Sequence, residues 1–292
     1  MTLARLKRIP SKIREILHTP DQLRDLRDLV LSGQTRQLQR EHPNPLNRFG
    51  RKCFSQSDED GITLEILRRI GVLEGGAFAE FGVGDGTENN TLILVALGWK
   101  GFWVGGEELK FQVRSSASRR FTYLRDWITL DNIAALTQRG LQAIGADALD
   151  VISLDLDGND IYFVEKLLAE GNRPKLFIVE YNAKFPPPVR FQITYDPQHT
   201  WAGDDYFGAS LASYNALFER FSYRLACCNA QTGANAFFVD AAFSNRFADV
   251  PTELGQIYVE PRYHVQNRFG YRQSLRTLSA IINGATDGSK ID

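Results

Sequence analysis

Acidic side chains recur where apolar runs of this 292-residue sequence end. Glu80 closes one run, Asp155 and Asp157 close another, and Glu180 and Asn182 follow a third. Carboxylate and amide oxygens at such positions can hold the amine and hydroxyls of a cationic ligand, or bind a hard ion such as Mg²⁺. A base or a metal at the same place could remove the proton from an acceptor hydroxyl.

The elements that must position these residues are short apolar runs that alternate with segments of helical spacing, at 88–97, 131–144 and 160–170. Such alternation predicts an α/β fold with a Rossmann-like, doubly wound and mostly parallel sheet. Two further runs, at 223–230 and 235–240, predict a C-terminal antiparallel hairpin. The five parallel runs are "AFAEFG" (77–82), "GFWVGG" (101–106), "FTYLRDWIT" (121–129), "LDVISLDLDG" (149–158) and "KLFIVEYNA" (175–183).

The turn after the first run reads "EFGVGDGT" and contains Gly82, Gly84 and Gly86. Its spacing differs from the dinucleotide fingerprint G-x-G-x-x-G, and Glu80 with Asp85 would repel a pyrophosphate. Ligands of open α/β sheets bind beyond the carboxyl ends of the strands. An acidic rim there suits a cationic ligand with an amine and hydroxyls, such as S-adenosylmethionine.

In these residues the chain resembles the class I S-adenosylmethionine-dependent methyltransferases, whose first motif is an acidic residue followed by G-x-G-x-G. The resemblance narrows to the FkbM-like methyltransferases and covers about residues 50–245. It is carried by "FSQSDEDG" (54–61), "VISLDLDGND" (151–160), "FIVEYNA" (177–183) and "GDDYFGAS" (203–210).

The resemblance implies a cofactor pocket with Glu80 and the glycine turn on its methionine side, Gln56 and Asp60 folded over that end, and Asp126 near the adenine. One departure concerns the carboxylate that would clamp the ribose, because Gly105 stands at its position and Glu107 would have to reach back. The residues expected to bind the cofactor are Gln56, Asp60, Glu80, Gly82, Gly84, Gly86, Thr87, Glu107, Asp126 and Asp155.

The expected metal ligands are Asp155, Asp157, Glu180 and Asn182, an oxygen set suited to Mg²⁺. The alternative is a hydrogen-bonded turn with a carboxylate beside the cofactor. The expected catalytic residues are Asp157 and His199, and the expected acceptor-binding residues are Trp201, Asp205 and Tyr206. Aromatic rings with interspersed polar groups suit a sugar face, so the expected reaction is O-methylation of a sugar or glycan-like hydroxyl.

The distribution of charge bears on the partners and on the domain organisation that the sequence predicts. The net charge of −1 gives no global argument for nucleic acid, although residues 1–52 carry 12 Lys or Arg against 5 Asp or Glu. We expect residues 1–50 to form a helical N-terminal extension of two helices broken at Pro20, and a linker. Residues 51–245 would form the methyltransferase-like domain, and residues 246–292 a tail packed on it.

The basic extension could contact an acidic membrane surface or a second subunit. No apolar run reaches the length of a membrane span, the first residues lack the apolar core of a signal peptide, and the three cysteines fit a reducing setting. The sequence therefore predicts a cytoplasmic protein, with a homo-oligomer left open.

Two rival functions remain at the sequence level. A catalytically degenerate, methyltransferase-like binding module would explain Gly105. A phosphatase of the haloacid-dehalogenase type would explain "ISLDLDGND" (152–160), although Asn159 replaces the usual Thr or Val there.

Overall fold

The computed structural model of the protein describes residues 11–113, 120–263 and 269–289. The chain divides into two compact units between Glu41 and His42. In the first unit, helix α1 (Ser11–Glu41) runs without interruption. The prediction of two helices was wrong because Pro20 lies inside this helix, where a proline removes one backbone donor while the bonds on either side persist.

The second unit is built on a seven-stranded sheet with the order β3-β2-β1-β4-β5-β7-β6. The first five strands are parallel, and β7 is antiparallel to both β5 and β6. This architecture confirms the predicted Rossmann-like sheet with its C-terminal antiparallel hairpin. The strands are β1 (Ala77–Phe81), β2 (Lys100–Gly105), β3 (Phe121–Arg125), β4 (Val151–Leu154), β5 (Leu176–Glu180), β6 (Tyr223–Cys228) and β7 (Asn235–Asp240).

Helices follow the strands where the sequence indicated apolar periodicity. Two of them, α2 and α4, end at glycines in the left-handed conformation, which closes the last turn. The helices are α2 (Glu59–Ile70), α3 (Leu92–Ala96), α4 (Ile133–Ile144), α5 (Asp160–Ala169), α6 (Leu211–Arg220), α7 (Leu254–Ile257) and α8 (Leu275–Ile282), with 3₁₀ turns at Pro45–Phe49 and Ala241–Phe247.

The core lies on the two faces of the central strands. All residues of β1 and β4 are buried, whereas the edge strand β3 is only half-buried. Continuous burial explains why these strands read as unbroken apolar runs rather than as an alternating pattern. The strand order reverses between β1 and β4, so a crevice forms beyond their carboxyl ends.

Among the helices of the described residues, none combines the length and apolarity that a bilayer span requires.

Candidate functional site

A cleft of about 490 Å³ opens where the strand order reverses. Gly82 and Gly84 reach it from the turn after β1, and Glu107 reaches it from the turn after β2. Asp155 and Asp157 line it from the end of β4. The carboxyl ends of the three neighbouring strands β2, β1 and β4 therefore meet at one place.

Two glycines of the turn after β1 have different reasons to be glycine. Gly82 has a φ of 90°, and a Cβ there would lie 1.6 Å from the carbonyl oxygen of Asp155. Gly84 has a φ of 50°, but nothing lies within 4 Å of the place where its Cβ would be. Gly82 therefore allows β1 and β4 to approach, whereas Gly84 leaves open space at the cleft wall.

Glu80 supports the loop behind the cleft and is not among the cleft's lining residues. Its buried carboxylate accepts hydrogen bonds from the backbone nitrogens of Asn90 (2.9 Å) and Thr91 (3.0 Å) and from the Thr91 hydroxyl (2.5 Å). Burial raises the pKa of Glu80 to about 7, although these bonds oppose the shift. The carboxylate thus bonds the backbone and the Thr91 hydroxyl, and its contact with a cofactor stays a prediction.

Asp60 plays a comparable part before β1. One of its carboxylate oxygens accepts hydrogen bonds from the backbone nitrogens of Cys53, Phe54 and Ser55, at 2.7–2.9 Å. Asp60 is fully buried, Gln56 is exposed, and neither lines the cleft. The structure thus places Asp60 where it supports the loop 53–55, and Gln56 on the surface outside the cleft.

The turn after β2 carries the departure at Gly105. A Cβ at this position would lie 3.1 Å from Val83 Cγ2 and 3.2 Å from the Tyr123 hydroxyl, which leaves little room for a side chain. The Tyr123 hydroxyl lies 2.9 Å from the carbonyl oxygen of Gly105 and 2.6 Å from that of Glu107. Tyr123 therefore fixes the turn that presents Glu107 to the cleft.

Three expected cofactor residues lie outside the cleft lining. Gly86 faces Leu109 and Phe111, and the Thr87 hydroxyl donates to Asp85 at 2.5 Å. Asp126 pairs with Arg139 at 3.4 Å on the surface. The Thr87 hydroxyl and the Asp126 carboxylate are each satisfied by a neighbouring residue, which explains why they lie outside the cleft lining.

An acidic cluster stands at the ends of β4 and β5. One carboxylate oxygen from each of Asp155, Asp157 and Glu180 lies within 4.8 Å of the others, as a shared metal ligand set requires. Burial is the main cause that raises the pKa of all three, and the neighbouring negative charges raise the pKa of Asp155 and Glu180 further. Asp157 adopts a φ of 53°, an uncommon conformation outside glycine that points to a local functional constraint.

Asp160 supports the turn at the acidic cluster, and Tyr214 is a buried residue that feels the charges of the cluster. Asp160 accepts hydrogen bonds from the backbone nitrogens of Leu156 (2.7 Å) and Gly158 (2.8 Å), which fixes the turn that carries Asp157. The Tyr214 side chain is fully buried, and its hydroxyl finds no hydrogen-bonding partner among the described residues. Burial is the main cause that raises the pKa of Tyr214, and the charges of Asp160, Glu180 and Asp155 raise it further.

The side chain of Asn182, the fourth expected metal ligand, makes its hydrogen bonds with backbone groups outside the acidic cluster. Its side-chain nitrogen donates to the carbonyl oxygens of Asp205 (2.9 Å) and Phe207 (3.1 Å), and its side-chain oxygen accepts from the backbone nitrogen of Lys184. Asn182 is fully buried and does not line the cleft. The structure therefore brings three of the four expected ligands together.

His199 lines the cleft, close to the turn of Asp157. Both ring nitrogens are buried, and neither has a hydrogen-bonding partner within the described parts of the chain. Burial, followed by the charge of Arg276, lowers the pKa of His199. The imidazole is therefore neutral at physiological pH and has a lone pair that can accept a proton.

The three residues expected to bind the acceptor do not lie together, and only one of them lines the cleft. Trp201 lines the cleft, and its ring meets that of Tyr271 edge-on with centroids 4.6 Å apart. Asp205 is buried and accepts from the backbone nitrogen of Ser274 and from the Thr277 hydroxyl. Tyr206 is also buried, and neither it nor Asp205 lines the cleft.

Sequence reasoning missed several residues of the site. Trp127 and Phe163 line the cleft, and Tyr271 reaches its neighbourhood from the C-terminal segment. Trp127 follows directly on Asp126, so its position after a strand was a usable signal. No local pattern marked Tyr271 or Tyr214, because both reach the site from helices or loops distant in sequence.

Comparisons with known proteins leave the function to be argued from the site. No family model and no curated protein matches the sequence. Three solved structures align in part: an O-methyltransferase family 2 protein from Planctomyces limnophilus with apigenin, the human N-acetylserotonin methyltransferase with SAM, and CalO1, a methyltransferase in calicheamicin biosynthesis, in its SAH-bound form.

These three likenesses are remote. Sequence identities are 10%, 10% and 15%, and TM-scores are 0.35, 0.33 and 0.33. The alignments cover 57%, 56% and 77% of this chain but only 51%, 47% and 61% of the other chains. The chain thus spans about half to three fifths of these proteins, and likeness at this level carries no argument about the reaction.

Proposed function

We propose that the protein is an S-adenosylmethionine-dependent methyltransferase that methylates a hydroxyl group of a sugar or glycan-like acceptor. One observation carries the proposal: a glycine-walled, carboxylate-lined cleft lies at the strand-order reversal, and two of its carboxylates, Asp155 and Asp157, form an acidic cluster with Glu180. Open α/β sheets bind their ligands at this reversal. The finer assignment to FkbM-like enzymes rests on the sequence motifs alone.

The residues present fit the cofactor. Gly84 leaves space for close approach of the methionine portion, and Glu107 offers a carboxylate that can accept hydrogen bonds from ribose hydroxyls. Trp127, exposed over the turn at Gly106, offers an aromatic face beside them. When bound, S-adenosylmethionine supplies an electrophilic methyl group, and the chain's task is to hold both reactants in line.

The acidic cluster fits Mg²⁺ as well. Asp155, Asp157 and Glu180 offer hard oxygen ligands, and the Tyr214 hydroxyl, which is buried without a partner among the described residues and feels the charges of Asp155 and Glu180, could bond the water shell of an ion there. A bound Mg²⁺ would lower the pKa of an acceptor hydroxyl. His199 and Asp157 are the groups placed to take the released proton, and Trp201 offers a stacking face to a sugar ring.

A phosphatase is disfavoured by the cleft itself. Its charged lining residues are Glu107, Asp155 and Asp157, and no lysine or arginine is among the described residues that line it. Phosphate would therefore meet negative charge that a bound Mg²⁺ alone would have to compensate. A catalytically degenerate, methyltransferase-like binding module stays the second candidate. Gly105, whose tight surroundings leave no room for the carboxylate expected at its position, is the observation that favours it.

The test measures binding and transfer separately. Isothermal titration with S-adenosylhomocysteine should give binding to the wild type and weaker binding to Glu107→Gln, whereas Glu170→Gln, at an exposed glutamate that pairs with Lys166, serves as a matched surface control. Transfer of a labelled methyl group from S-adenosylmethionine to a panel of glycosides, with and without Mg²⁺, tests the activity. Absence of binding overturns the proposal and favours the module, and binding without transfer to any glycoside contradicts the proposed acceptor.

A further inference from the structure

Asn159 stands at the N-terminal cap of helix α5, but its side chain does not cap the helix. In this position an asparagine commonly accepts a hydrogen bond from a backbone nitrogen of the first turn. The Asn159 side chain makes no such bond, although the residue is only 7% exposed and lines the cleft. A buried amide needs hydrogen-bonding partners, and helix α5 does not supply them.

The partners of this amide are the backbone groups of Asp196, in the loop after β5. Asn159 Nδ2 donates to the Asp196 carbonyl oxygen at 2.7 Å, and Asn159 Oδ1 accepts from the Asp196 backbone nitrogen at 3.1 Å. Two hydrogen bonds to one residue fix the orientation of the amide and use both of its polar atoms. We call this pair of bonds the Asn159 clamp. It joins the turn after β4 to a loop that lies 37 positions further along the chain.

The Asn159 clamp holds the turn that carries His199. The Asp196 carbonyl oxygen, which accepts from the Asn159 amide, also accepts from the His199 backbone nitrogen at 2.9 Å. The Asp196 side chain accepts from the Gln198 backbone nitrogen at 2.9 Å and closes the same turn. One carbonyl oxygen therefore connects the Asn159 side chain to the backbone of His199.

Gly158 makes room for the imidazole of His199. A Cβ at position 158 would lie 2.3 Å from His199 Cδ2 and 3.1 Å from His199 Nε2, so the ring occupies the space that a side chain there would need. The backbone nitrogen of Gly208 donates to the Gly158 carbonyl oxygen at 2.9 Å and holds this part of the turn in place. The Asn159 clamp therefore places the backbone of His199, and Gly158 receives its ring.

We propose that Asn159 is a positioning residue that holds His199 at the cleft for proton transfer. The proposal rests on the proposed function, in which the acceptor oxygen gains the methyl group, the methyl–sulfur bond breaks with its electrons on sulfur, and His199 takes the hydroxyl proton. Asn159 acts through His199, because both polar atoms of its amide are bonded to Asp196. The same geometry explains Gly158, since a side chain there would displace the imidazole.

The first test measures methyl transfer to the glycoside that the labelled-methyl assay identifies. His199→Ala should lower kcat by about 10²–10⁴-fold, as loss of a general base does, and Asn159→Ala should lower it by about a hundredfold, both with little change in KM. The double variant should be no slower than His199→Ala alone, since Asn159 then has no base to position. Effects that multiply in the double variant would overturn the proposal, because Asn159 would then act on the reaction directly.

Asn172→Ala is the matched control for the loss of an amide. The Asn172 side chain also donates to a backbone carbonyl oxygen, that of Leu167 at 3.0 Å, but beyond the other end of α5. This variant should keep the wild-type kcat.

The second test observes the His199 ring and needs no acceptor. The chain has four histidines, and proton–carbon correlation spectra of their rings identify His199 by the signal that His199→Ala removes. Asn159→Ala should shift or broaden this signal and leave the other histidine signals unchanged, whereas Asn172→Ala should change none. Gly158→Ala should also shift it, and should lower the melting temperature less in the His199→Ala background, where the clash is absent.

The two tests separate the placement of His199 from the reaction. An unchanged His199 signal in Asn159→Ala overturns the proposal whether or not the protein transfers methyl groups. Shifts of all four histidine signals would assign the Asn159 clamp to the stability of the whole domain and overturn it as well. A shifted His199 signal in a protein that transfers no methyl group supports the placement of His199 and contradicts the proposed function alone.

Discussion

The Tyr123 hydroxyl lies 2.6 Å from the carbonyl oxygen of Glu107 and joins strand β3 to the turn after β2. Gly105 lacks the carboxylate expected at its position, and Glu107 offers the nearest one. We therefore expect the affinity for the cofactor to depend on the hydrogen bond that holds the Glu107 turn. Tyr123→Phe should weaken binding of S-adenosylhomocysteine about tenfold, near 1.4 kcal/mol, as measured by isothermal titration. Unchanged affinity in a variant of wild-type stability would show that the turn holds itself.

The two glycines of the first turn should respond differently to alanine. Gly82→Ala places a Cβ on top of the Asp155 carbonyl, so we expect a protein that fails to fold or is recovered insoluble. Gly84→Ala meets no atom and should cost only about 1 kcal/mol for its left-handed backbone. Folding is checked by thermal melting, and ligand binding of Gly84→Ala by titration. Wild-type affinity in Gly84→Ala would mean that no ligand approaches this wall.

Glu80 should make stability depend on pH. Its pKa is about 7 in the folded protein against 4.5 as the ordinary value, so the folded state keeps a proton that the unfolded state loses. The contribution of Glu80 to the free energy of unfolding is therefore complete below pH 4.5 and falls by about 3 kcal/mol as the pH rises to 7.

Glu80→Gln removes this titration. The free energies of unfolding of wild type and variant are measured with urea at several pH values. The wild-type value minus the variant value should fall as the pH rises through this window. Asp126→Asn, which removes an exposed carboxyl group, serves as a control and should keep the wild-type dependence. A constant difference between wild type and Glu80→Gln would contradict the raised pKa.

Tyr214 offers a test of the acidic cluster that touches none of the expected ligands. Phenylalanine removes a buried hydroxyl without a partner among the described residues, so metal-free Tyr214→Phe should be more stable by about 1 kcal/mol. If an ion occupies the cluster, the same change should weaken Mg²⁺ binding in a calorimetric titration. Loss of stability without metal would instead indicate that the hydroxyl is bonded within the protein.

The fold could be predicted because each central strand is buried on both faces and therefore reads as an apolar run. The location of the cleft followed from the same pattern, since parallel strands bring their polar ends to one edge. The roles of Glu80, Asp60 and Asn182 were less accessible. Buried backbone donors and carbonyls need partners, and a carboxylate or amide that satisfies them has the same sequence appearance as one that binds a ligand.

The C-terminal segment marks the other limit of prediction. The sequence predicts only a tail packed on the domain, and this segment brings Tyr271 against Trp201 and leads into helix α8. Contacts between residues about 70 positions apart leave no local periodicity. The expectation that Asp205 binds an acceptor had the same weakness, because an aspartate in an aromatic loop does not reveal which distant groups it faces.

Asp205 is expected to stabilise this segment rather than to bind the acceptor. One carboxylate oxygen accepts from the Ser274 nitrogen and the Thr277 hydroxyl at the start of α8, and the other lies 2.5 Å from Lys184 Nζ. Asp205→Asn leaves the partly buried Lys184 ammonium without its carboxylate partner, so we expect a loss of about 1–3 kcal/mol in urea unfolding. Proteolysis should also begin earlier after residue 269. Unchanged stability together with a raised KM for the acceptor would indicate that Asp205 binds the acceptor after all.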